Sequence, residues 1–140
     1  MNGLEKDSGN ARVAGWYVIL RTDGTSEVIY CESVPEIRQA IGAENLSSVP
    51  VDFTWLTSPF GRRSVRLLVD DEGKMREKAK NMLATEMYDN LREEIVGDAA
   101  VGMLNQSGRD ICGFITVEEA ERVAKLIRKM YETFECKEND

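Results

Sequence analysis

The stretch VRLLVDDEGKMREKAKNMLATEMYDNLREEIVGDAAV, Val65 to Val101, decides the fold. Val65, Leu67, Leu68 and Val69 make an apolar, β-branched run that reads as a strand, and Asp71-Glu72-Gly73 closes it with a turn. A helical pattern follows, with two readings of its boundary. Met75, Ala79, Met82, Leu83 and Met87 fit one helix from Lys74 to Glu94. Alternatively Asn81 caps a shorter helix, Met82 to Arg92, with Leu83, Met87, Tyr88 and Leu91 inward. Gly97-Asp98 then announces a second strand, Asp98 to Leu104, which forms a hairpin with Ile111 to Ile115.

The same rhythm appears on the N-terminal side. Trp16 to Leu20 and Glu27 to Cys31 are β-prone runs around Asp23-Gly24, a turn pair that tolerates positive φ. Ser33-Val34-Pro35-Glu36 reads as a capping box with proline in the first turn, Ile37, Ala40 and Ile41 as the apolar face, and Gly42 as the stop. Val49, Val51, Phe53 and Trp55 alternate with Pro50, Asp52 and Thr54, a period-two strand that Pro50 pushes toward a sheet edge. It forms a hairpin with Ser64 to Asp70 across a long basic loop.

On the C-terminal side Thr116-Val117-Glu118-Glu119 is a second capping box. It opens a helix whose stripe is Val117, Ala120, Ala124, Ile127, Tyr131 and Phe134, with Val123 flanking. Early acids and late bases suit the helix dipole. Leu126 and Met130 lie off the stripe and, if exposed, make this helix a homo-oligomer surface. The order ββα, ββα, ββα predicts an α+β domain: an antiparallel or mixed sheet of about six strands with three helices packed on one face. Residues 1–14 read as a disordered leader, 15–135 as a single domain, and 136–140 as a frayed tail.

Composition narrows the chemistry. The 140 residues fit one domain with a modest core. The chain has no histidine, which removes Ser-His-Asp and Cys-His catalysis and any His-based metal site. Cys31, Cys112 and Cys136 are odd in number and without a CxxC pair, so they read as free thiols, the first two buried. No apolar run approaches the ~18 residues of a membrane helix, and no signal-peptide layout opens the chain. The expected compartment is a cytoplasm. A net charge of −7 argues against duplex DNA binding, although residues 62–80 form a locally basic stretch.

Three sets of residues are candidates for function. In Trp55 to Arg63 two aromatics, Trp55 and Phe60, interleave with the Arg62-Arg63 fork, a combination that can stack a base, hold a phosphate or anchor a protein partner, although a core-facing Trp55 with a solvated arginine pair is the simpler reading. Asn81 and Thr85, four apart at a helix start, can face one ligand, but an asparagine cap with a first-turn threonine is the better reading. Asp70, Asp71, Glu72 and Asp98 are oxygen ligands by type, yet match no calcium-loop spacing, and read as solvated turn acids plus a strand-opening Asp98. No metal or cofactor is expected.

The run LLVDDEGK, Asn81 with Ala84-Thr85, IVGDAAV, and Gly113-Phe114-Ile115-Thr116 leading into EEA resembles the domain-of-unknown-function family 3846 over roughly residues 16–125. That family is found largely in phages, plasmids and their hosts and has no established activity. The chain carries Lys78-Ala79-Lys80 where members show an apolar or proline-containing approach to the asparagine. The resemblance implies a small accessory protein of a mobile element. The expected function is a non-enzymatic protein that binds a host factor, such as a nucleic-acid-binding or defence protein, and inhibits it. The alternative is a protein that sequesters a nucleotide through Arg62, Arg63 and an aromatic stack.

Overall fold

A computed structural model describes residues 13–50, 65–72, 77–87, 94–104 and 111–139. Along the chain these form β1 (Gly15–Leu20), β2 (Ser26–Cys31), α1 (Val34–Ile41), β3 (Leu46–Pro50), β4 (Val65–Asp70), α2 (Met82–Met87), β5 (Ala99–Leu104), β6 (Ile111–Cys112) and α3 (Val117–Asn139). The ββα order is as expected, and the sheet is six-stranded, in the order β2-β1-β5-β4-β3, with β6 added beside β5. Every pairing is antiparallel. β3 is an edge strand, where the missing N–H of Pro50 is tolerated.

Expecting all helices on one face is wrong. Val18, Leu20, Leu67, Val69, Val101 and Met103 pack with Leu83 and Met87 of α2 and with Ala120, Val123 and Ile127 of α3. Tyr17, Ile19, Leu68 and Ala100 point to the other face and pack with Val34, Ile37 and Ile41 of α1. The domain therefore has three layers. The physical reason is already visible in Val18-Ile19-Leu20 and Leu67-Leu68-Val69. A strand buried on both faces reads as a continuous apolar run instead of an alternation.

Local signals place the helix ends. Ser33 sits at the N-cap of α1 but its hydroxyl makes no cap bond, and the Glu36 carboxylate accepts from the Glu32 N–H instead. At the other end Gly42 takes the left-handed conformation (φ 67°), with Gly42 N–H to Gln39 O at 3.3 Å and Ala43 N–H to Arg38 O at 2.9 Å. Thr116 does cap α3: its Oγ1 accepts from the Glu119 N–H at 3.1 Å. α3 runs 23 residues, about 35 Å, so the predicted frayed tail is helical through Asn139. Leu126 and Met130 are half-buried against the core and are not the exposed pair that the oligomer expectation required.

Cys31 is buried and Cys112 half-buried. The backbones of Gly15 and Gly113 cross so closely that a Cβ on Gly113 would sit 2.6 Å from the Gly15 carbonyl carbon. This crossing lets Trp16 and Phe114 exchange N–H···O bonds of 2.9 and 2.7 Å.

Candidate functional site

β1 and β4 end, and β5 begins, at the same end of the sheet. There the chain segments 77–81 and 94–98 cross between them. Asn81 settles the open helix boundary: it is fully buried and its Oδ1 accepts from the Ala84 N–H at 3.0 Å, so it caps the short helix α2. Its Nδ2 donates to Leu20 O at 2.8 Å and to Gly97 O at 2.9 Å. Its N–H donates to Ile95 O at 2.8 Å. One side chain thus ties β1, α2 and the approach to β5 together.

Thr85 works one turn later. Its Oγ1 accepts from the Ile95 N–H at 2.9 Å and lies 3.3 Å from Ile95 O, to which it donates. Asp98, half-buried, immediately precedes β5 and accepts from the Thr22 N–H (3.0 Å) and from Arg21 Nη1 (3.0 Å). Arg21 also reaches Ala40 O at 2.7 Å and Glu27 Oε1 at 2.9 Å. Partial burial works against its charge, but the hydrogen bonds to Asp98 and Glu27 outweigh this and hold its pKa above the ordinary value.

Asp70 also departs from its expected place. Instead of a solvated turn acid it is a buried one: its side chain is 0% exposed. Lys78 Nζ lies 2.6 Å from Asp70 Oδ2 and donates to Gly42 O at 2.7 Å, while the Glu72 N–H donates to Oδ1 at 3.0 Å. Lys78 lies over Gly97, where a Cβ would come within 2.8 Å of Lys78 Cδ. Gly97 has φ 82°, so it meets both needs a glycine can meet, positive φ and close approach. The strap from Lys78 joins the α1 layer to the end of β4.

Between these groups a cleft of about 320 Å³ opens, lined by Thr22, Gly42, Lys78, Gly97 and Asp98 among others. That volume is at the small end of ligand pockets. Its ammonium and its carboxylate are both engaged within the protein, Lys78 by Asp70 and Asp98 by Arg21. Among the described residues no three His, Cys, Asp or Glu side chains cluster as a metal site. No helix among them is long and apolar enough to cross a membrane.

The structure therefore brings Asn81, Thr85 and Asp98 to one end of the sheet. Trp55, Phe60, Arg62 and Arg63 lie outside the described residues. The strand ends flanking them, Pro50 and Val65, are at the opposite end of the sheet. Arg21 and Lys78 were missed as organising residues. Arg21 meets Asp98 across 77 positions and Lys78 meets Gly42 across 36, separations that no local pattern reports. Compared with family models, with curated proteins and with solved structures, the chain gives no significant match.

Proposed function

We propose that this is a non-catalytic interaction protein that acts by binding a host macromolecule. One observation carries the reading. The polar residues at the sheet end, which a catalytic or ligand-binding site would need available, are bonded to backbone: Asn81 to Leu20, Gly97 and Ala84, Thr85 to Ile95, and Asp98 to Thr22. Their chemistry holds the fold. Action then falls to the surface, and the resemblance to a family of mobile elements supplies the setting, a host protein such as a defence or nucleic-acid-binding factor. The segment with Trp55, Phe60, Arg62 and Arg63 has the composition of an anchor.

The test is native mass spectrometry of the protein after incubation with host lysate, run beside the variant Phe60→Ala/Arg62→Ala/Arg63→Ala. A protein complex that the variant loses, at unchanged melting temperature, supports the reading. A retained mass of nucleotide size replaces it with sequestration. A complex that the variant keeps removes the anchor assignment.

A further inference from the structure

β2 is an open edge with a definite polarity. At the hairpin the Arg21 N–H donates to Thr25 O at 2.9 Å and the Gly24 N–H to Arg21 O at 3.1 Å, which makes Arg21 and Thr25 a hydrogen-bonded pair. Antiparallel pairs alternate, so Glu27, Ile29 and Cys31 bond to β1, while Ser26, Val28 and Tyr30 turn their N–H and C=O groups away from the sheet. Edge strands are ordinarily blunted by proline, lysine or an outward charge. β3 has Pro50, but β2 has neither proline nor lysine, and its one acid, Glu27, is drawn back onto Arg21. Among the described residues nothing pairs with its outer side.

α3 packs across β1 and β2 on one face of the sheet. Helical spacing places Glu121, Ala124 and Arg128 on one flank, with Glu121 and Arg128 exposed and Ala124 half-buried. Arg128 reaches from that flank to Gly24 O, at 2.8 Å, on the β1–β2 turn. The opposite flank, with Val123 and half-buried Leu126 and Met130, is turned into the core.

We propose that β2 pairs antiparallel with β2 of a second copy, about a two-fold axis at Val28, and that the two α3 helices pack side by side above the joined sheet. Ser26 then faces Tyr30 of the other copy and Val28 faces its own equivalent, for about six new backbone bonds. With strands ~4.8 Å apart and each α3 centred between β1 and β2, the helix axes lie roughly 10 Å apart, a normal packing distance. The helices run antiparallel, so Glu121 of each copy comes opposite Arg128 of the other, with the small Ala124 at the crossing. The pairing is self-complementary in strand polarity, in helix spacing and in charge, and these select a second copy over an unrelated peptide.

Sedimentation equilibrium of the full chain across micromolar concentrations tests this. The expected mass is twice the 15.8 kDa of the chain. Glu121→Arg places like charges at both contacts and weakens the dimer by about tenfold or more, and Glu121→Arg/Arg128→Glu restores it. Val28→Pro removes an outward N–H while leaving the bonds to β1, and yields a monomer with unchanged circular dichroism. Should Val28→Pro fail to fold, the charge swap at exposed positions carries the test alone. A chain that stays monomeric to roughly 100 µM, well above ordinary dimer affinities, overturns the proposal. So does a dimer indifferent to the charge reversal.

Discussion

Asn81 combines a helix cap with two long-range bonds, to Leu20 and Gly97, in a side chain of 0% exposure. Asn81→Ala removes all three and strands two carbonyls, so it lowers stability by about 2–4 kcal/mol in urea denaturation, against ~1 kcal/mol for loss of a surface cap. The cap was legible, because asparagine before an apolar helical pattern is a local signal. The bonds to Leu20 and Gly97 were not, since they join distant positions. Lys78 is the stricter case, because nothing near it announces a buried partner. Lys78→Met takes the ammonium at 2.6 Å away from the buried Asp70 carboxylate and costs about 3 kcal/mol. The double variant Asp70→Asn/Lys78→Met recovers most of that loss, a non-additivity that a double-mutant cycle measures directly.

At the scale of elements, two identical-looking start signals separate on inspection of their bonds. Thr116 accepts the Glu119 N–H, and Ser33 makes no cap bond. Thr116→Ala therefore costs about 1 kcal/mol, and Ser33→Ala stays within about 0.5 kcal/mol, both read from thermal unfolding. Sequence pattern placed the starts of α1 and α3, because capping is local chemistry, and left the start of α2 open between Lys74 and Met82. It misjudged where α3 stops, since Cys136 to Asn139 are polar and carry no period, yet the helix runs on through them. For the candidate anchor between Pro50 and Val65 the sequence supplies composition alone.

At the scale of the whole molecule, hairpin pairings were legible and layer assignment was not. Turn chemistry fixes which strands are neighbours in sequence, but the placement of α1 alone on its face depends on apolar runs with two buried sides. That face holds Cys31 and Tyr17. Burial pushes the Cys31 thiol up to about 11, with Glu36 adding to it, and burial raises the Tyr17 phenol likewise, with Cys112 and Cys31 adding to it. Tyr17 donates to Val13 O at 2.6 Å. Both pKa values are higher in the folded state. Their stabilisation is complete below the unfolded thiol value near 9.0 and is lost as pH rises toward the folded values. The melting temperature should fall steadily above about pH 9, and Tyr17→Phe/Cys31→Ala should flatten that fall from a lower starting stability.

The order β2-β1-β5-β4-β3 also has a consequence in time. The strand that joins the two hairpins is synthesised after both of them. When Asp70 has left the ribosome, β1 and β4 each present an apolar edge with no neighbour, and an isolated two-stranded hairpin is marginal in water. Residues 71–104 need roughly 2–7 s more at ~5–20 residues per second. During that interval the nascent chain consists of two half-sheets waiting for β5. The period in which this protein is most exposed to aggregation lies within its own translation, before the molecule has a core.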